Sequence, residues 1–147
     1  MLIAGIGSCQ GIDSLGWRVI DELAEQGAAG ITLLKASQPA DLFDELLGQD
    51  SLLVVDACQS GASFGTLHRL TWPDDRLRMT KATSSHGIDV EATLQLAAEL
   101  GILPARTALL LAEIGSHVAN VRSTQIDCLA AEVARAASRE IGATHHA

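Results

Sequence analysis

The chain alternates between short apolar runs and stretches in which apolar residues recur every three or four positions. The apolar runs predict buried strands at 2–7, 30–35, 51–57 and 106–114, with a less apolar strand at 65–72. The helical spacing predicts amphipathic helices at 15–26, 41–47, 89–100 and 121–141. The order β-α-β-α-β-β-α-β-α predicts an α/β fold, a three-layer α/β/α sandwich around a five-stranded, mostly parallel, twisted sheet.

The link between the third and fourth predicted strands covers only residues 58–64. A parallel crossover needs a dozen or more residues, so we expect these two strands to form an antiparallel pair. The fourth strand is then expected at an edge of the sheet. We also expect Asp89 to cap the helix at 89–100, and the tail at 143–147 to fray.

Composition narrows the class of protein. The 147 residues predict a single domain, 1–147, and the net charge of −8 opposes binding to nucleic acid. Three widely spaced cysteines with no CxxC pair fit a reducing, cytoplasmic environment. The N-terminus lacks the basic and long apolar segments of a signal peptide, and no stretch is long enough for membrane insertion.

Three polar residues follow the predicted strands at the edge where open α/β sheets bind ligands. Asp13 follows the first strand, Asp56 closes the third, and His86 follows the fourth within Ser-Ser-His-Gly. Two carboxylates and an imidazole suit nickel, zinc or cadmium. On residue type alone other roles remain open, because Asp13 could cap the first helix, Asp56 could cap the turn at 58–59, and His86 could be solvated.

Other chemistry is less well supported. The glycines of the first loop do not match GxGxxG and Lys35 stands where an acid is needed, which argues against NAD binding. Ser84 and Ser85 lack the GxSxG context of a serine hydrolase. The remaining polar candidates are expected to play minor roles: Glu113 and His117 as possible substrate contacts, His68 as a solvent-facing residue, and Cys9 and Cys58 as small semi-buried side chains.

Four stretches carry a resemblance over the whole chain: LIAGIGSCQGIDSLGWRVIDEL, LLVVDACQSGASFGTLHRL, TSSHGIDVEATLQLAAELGILPAR and the closing amphipathic helix. The chain resembles the nickel–iron hydrogenase maturation proteases. That resemblance implies that Asp13, Asp56 and His86 are the metal-binding and catalytic residues. It implies an endopeptidase that removes the C-terminal extension from the nickel-loaded immature large subunit of a hydrogenase. Nickel would be supplied by that subunit, and cadmium or zinc would substitute in vitro.

The first loop departs from the family pattern. Ser8 stands where the family usually has asparagine, and Ile12 replaces the first acid of a pair. After the fifth predicted strand, Ala-Glu-Ile-Gly stands in place of Gly-Ile-Glu-Pro. Two alternatives follow: a protease-like chaperone that binds the immature large subunit without cutting it, and an unrelated small metal-dependent hydrolase.

Overall fold

The computed structural model describes residues 1–78, 81–82, 89–115 and 120–145. Strands are β1 (Leu2–Ile6), β2 (Thr32–Ala36), β3 (Ser51–Gln59), β4 (Leu67–Thr71), β5 (Lys81–Ala82) and β6 (Arg106–Glu113). Helices are α1 (Leu15–Glu25), α2 (Phe43–Leu46), α3 (Val90–Glu99) and α4 (Ser123–His145). No helix in the described part of the chain is long and apolar enough to span a membrane.

The strands form one sheet in the order β2-β1-β3-β6-β4, and the short β5 pairs with the end of β3. Neighbouring strands from β2 to β6 run parallel, whereas β4 runs antiparallel to β6. The mostly parallel sheet with an antiparallel edge strand is thus confirmed. The added two-residue β5 was not predicted.

The partner predicted for the antiparallel edge strand is wrong. β4 pairs with β6, which lies between β4 and β3. Burial explains the order: β6 is almost entirely buried and needs strands on both sides, whereas β4 buries only Leu70 fully. The short link from β3 therefore fixes the direction of β4 but passes across the end of β6.

Two apolar layers sandwich the sheet. Helices α1 and α4 pack on one face, over side chains such as Leu53, Val55 and Leu110. Helix α3 and the segment around α2 cover the other face, over Leu52, Val54 and Leu109. Both faces of the central strands are therefore buried, as expected for parallel strands between helical layers.

Local signals at the helix ends were predicted with mixed success. Asp89 caps α3, where its side chain accepts a hydrogen bond of 2.7 Å from the amide of Ala92, as predicted. The fraying predicted for 143–147 is wrong for residues 143–145, because α4 continues to His145, and residues 146–147 lie outside the described part of the chain. Thr144 donates a hydrogen bond to the carbonyl of Glu140 within this last turn.

Candidate functional site

The sheet has a topological switch point between β1 and β3. From β1 the chain moves outward to β2, whereas β3 lies on the other side of β1 and continues to β6. Gly5 pairs with Val55 across these two strands, so Asp56 lies at the carboxyl end of the pair. Open α/β sheets bind ligands at this kind of crevice, where connections leave in opposite directions.

Close backbone packing positions the first loop. A Cβ atom at Gly7 would lie 2.1 Å from the carbonyl oxygen of Asp13, and that same oxygen accepts a 2.9 Å hydrogen bond from the amide of Ser8. The loop can therefore fold against itself only with glycine at position 7. This arrangement holds Asp13 beside the end of β1.

Asp13 is not the cap of α1. It lies in a 3-10 turn, Gly11–Ser14, and Ser14 occupies the N-cap position of the helix. The Asp13 residue instead lines an open cleft of about 280 Å³ together with Gly7, Ser8, Ser37 and Gln38. The capping role that residue type allowed for Asp13 is therefore wrong.

Asp56 is buried, with 3% of its surface exposed. Its Oδ1 accepts a 2.8 Å hydrogen bond from the amide of Ala57, while Oδ2 has no hydrogen-bond partner among the residues that the structure describes. It does not cap the turn at 58–59, because β3 continues through Gln59. A buried carboxyl oxygen without a partner is costly unless a proton or a cation joins it.

The pKa of Asp56 reflects this environment. Burial raises the pKa to about 8, against the lowering effect of the Ala57 hydrogen bond, and the charge of Asp13 raises it further. Asp13 is therefore near enough for its charge to act on the Asp56 carboxyl group. A carboxyl group of this kind is suited to accept a cation that replaces its proton.

The third predicted ligand, His86, lies outside the described residues, as do Ser84, Ser85 and His117. Among the described residues, Asp13 follows β1 and Asp56 lies near the carboxyl end of the neighbouring β3. The role of His86 stays a prediction.

A second group of polar side chains lies beyond Asp56 on the same face of β3. Cys58 pairs with Glu113 of β6, and His68 of β4 lies diagonally across from Glu113. One ligand atom from each residue lies within 4.8 Å of the other two. Sequence reasoning missed this cluster, although Glu113 ends an apolar strand much as Asp56 does.

Two roles predicted for members of this cluster are wrong. Glu113 is completely buried and is not positioned as a substrate contact at the rim. His68 is not solvent-facing, because its side chain is three-quarters buried and its Nε2 lies 3.3 Å from Oγ of Ser60. Of the two cysteines expected to be semi-buried, Cys58 is fully buried and Cys9 is exposed.

Glu113 is held by neighbouring donors. Ser60 donates to it from its amide at 2.9 Å and from its hydroxyl at 2.6 Å, and the Gly115 amide donates at 3.3 Å. Burial alone would raise the pKa of Glu113, but these bonds and the nearby ring of His68 outweigh burial and lower it. Burial, and next the charge of Glu113, raises the pKa of the Cys58 thiol to about 12.

Sequence comparison places the chain in a known family. The family model described as hydrogenase maturation protease matches residues 17–137. The chain belongs to this family of proteases. Comparison with curated proteins finds no match.

Solved structures show the same fold over nearly the whole chain. The hydrogenase maturating endopeptidase HybD from Escherichia coli matches with a TM-score of 0.68 and 22% identity, covering 96% of this chain and 93% of HybD. An endopeptidase from Escherichia coli, solved in solution, matches with a TM-score of 0.71 and 19% identity over 97% and 94% of the two chains. The hydrogenase maturation protease HycI from Thermococcus kodakarensis matches with a TM-score of 0.67 and 19% identity over 94% and 89%.

Proposed function

We propose that this chain is an endopeptidase that removes the C-terminal extension from the nickel-loaded immature large subunit of a nickel–iron hydrogenase. The observation that carries the proposal is the Asp56 carboxyl group. It lies buried at the carboxyl end of a central strand, and its Oδ2 lacks a partner in the described part of the chain. Family membership supports the class of reaction and of substrate.

The proposed mechanism uses nickel as part of the substrate. Asp13 and Asp56 from the crevice and His86 from the third motif would complete the coordination of the nickel that the precursor carries. This would hold the scissile peptide at the mouth of the crevice. A metal ion in this position polarises a carbonyl group or activates a water molecule for hydrolysis. The cleft beside Asp13 offers polar side chains from Ser8, Ser37 and Gln38 to the incoming peptide.

Substitution of Asp56 tests the proposal directly. Asp56→Asn keeps the shape of the side chain but weakens metal coordination, so we expect loss of processing from a folded protein. The matched control is Asp50→Asn, which alters an exposed aspartate just before the other end of β3. Cleavage is followed by the mobility of the nickel-loaded precursor on a gel. Full activity of Asp56→Asn would contradict the assignment.

A protease-like chaperone is the second candidate. The observation that favours it is Ile12, which packs against the apolar core that includes α1. Because Ile12 is apolar, Asp13 is the acid of the first loop. Precursor pull-down separates the two proposals. A stable complex with intact precursor, with no product after long incubation, would support the chaperone, whereas turnover of substoichiometric protein would support the protease.

A further inference from the structure

We propose that Cys58, His68 and Glu113 form a binding site for a zinc-class divalent ion. The three residues come from three strands, β3, β4 and β6, whose ends meet beyond Asp56. The site uses none of the residues to which the proposed protease activity is assigned. It therefore stands or fails independently of that activity.

The distances between the donor atoms approach those of a tetrahedral ion. Glu113 Oε2 lies 3.7 Å from Sγ of Cys58 and 3.6 Å from Nε2 of His68. Zinc bonds of about 2.0–2.3 Å place tetrahedral ligand atoms roughly 3.3–3.8 Å apart. Two of the three distances between ligand atoms are thus close to those of a tetrahedral site. The third, between Sγ of Cys58 and the imidazole nitrogen of His68, is within 4.8 Å.

The donor set selects the class of ion. Sulfur, imidazole and carboxylate together suit zinc, cadmium or cobalt, whereas magnesium and calcium prefer oxygen donors alone. A thiolate and a carboxylate also neutralise the two positive charges of the ion. The completed site is therefore electrically neutral, as its burial requires.

Binding changes the protons of the cluster in a defined way. The thiol of Cys58 loses its proton to solvent as the sulfur–metal bond forms. The Ser60 hydroxyl donates its hydrogen to Glu113. The Ser60 oxygen must therefore act as the acceptor in its second hydrogen bond, and Nε2 of His68 is the donor in the metal-free cluster. Coordination through Nε2 moves that ring proton to Nδ1, and the Ser60 bonds continue to orient the carboxylate.

A bound ion would stabilise the position of the edge strand β4. Among the described strands, β4 pairs with β6 alone, and its junction with β3 passes across the end of β6. A bond from His68 to an ion shared by Cys58 and Glu113 would fix this junction next to Asp56. Because the folded state binds the ion, zinc should also raise the thermal stability of the protein.

Cobalt titration of the full-length protein tests the site. We expect a near-ultraviolet thiolate-to-cobalt charge-transfer band and the visible bands of tetrahedral cobalt, both displaced by zinc. Cys58→Ser should abolish the charge-transfer band. His68→Gln, a change on the edge strand, should weaken cobalt binding by at least the roughly 10- to 100-fold typical of losing an outer-shell partner.

Three controls define the site. Cys9→Ser and Cys128→Ser remove the two exposed thiols, and both should keep the band. Asp56→Asn should keep it as well, because Asp56 belongs to the other group of ligands. The proposal is overturned if the folded wild type gives no thiolate band, if the band survives Cys58→Ser, or if His68→Gln binds cobalt as tightly as the wild type.

Discussion

Asp56 is the residue at which stability and the proposed chemistry conflict. Its pKa of about 8 in the folded protein compares with about 3.9 for an aspartate in an unfolded chain. Between these two pH values the Asp56 carboxyl group binds a proton in the folded protein but not in the unfolded chain. The contribution of Asp56 to stability is therefore complete below about pH 4 and is lost as the pH rises towards 8.

Asp56→Asn should remove this pH dependence. Asparagine carries no titrating proton, so the free energy of unfolding of the variant should fall less than that of the wild type between roughly pH 5 and pH 8. The difference is bounded by about 1.4 kcal/mol per pH unit. Urea unfolding at several pH values, with a chelator present, measures it. Parallel curves for the two proteins would mean that Asp56 is already ionised when folded.

Glycines at the junction of β1 and α1 are required by packing and not by contact with a ligand. A Cβ atom at Gly16 would lie 2.4 Å from the carbonyl oxygen of Ile6, and one at Gly5 would lie 2.1 Å from the carbonyl of Gly16. Strand and helix backbones touch here. The position of Asp13, three residues before Gly16, depends on this contact.

Gly16→Ala should therefore destabilise the protein by at least the roughly 1–3 kcal/mol of an overpacked core, and it should impair processing by displacing Asp13. The matched control is Gly142→Ala on α4, where an added Cβ meets no described atom within 4 Å. That change should be neutral or stabilise the helix by about 0.5–1 kcal/mol. Urea unfolding compares the two variants. Equal stability would show that β1 and α1 can separate at little cost.

The elements of the fold were largely predictable from the sequence, whereas one pairing was not. Apolar runs identified the five principal strands, and the short link at 58–64 gave the direction of β4. The same link suggested the wrong neighbour, because a strand distant in sequence, β6, buries more apolar surface and takes the inner place.

The wrong neighbour predicted for β4 also explains why the second group of polar side chains was missed. With β4 placed beside β3, Glu113 would lie away from His68. Only the insertion of β6 brings Cys58, His68 and Glu113 to one point. That Asp13 follows β1 and that Asp56 lies in the neighbouring strand β3 was predictable, because local patterns specify these strands.

The two groups of polar residues share the carboxyl edge of the sheet but differ in chemistry. Asp13 lines an open cleft and Asp56 is a buried carboxyl group, whereas Cys58, His68 and Glu113 bring sulfur, nitrogen and oxygen donors together where Cys58 and Glu113 are buried. The overall charge of −8 favours cations at both. An open site suits an ion that arrives with a substrate, and an enclosed one suits an ion that stays.

The source of nickel is therefore the most informative test of the whole protein. Two carboxylates and one imidazole leave coordination positions open, so the proposed site should bind free nickel only modestly. We expect cleavage of nickel-loaded precursor and no cleavage of nickel-free precursor, however much protease is added. Preloading the protease with nickel should not rescue the nickel-free precursor. Gel analysis of both precursors gives the answer, and equal cleavage of the two would mean that the substrate's metal plays no part in the reaction.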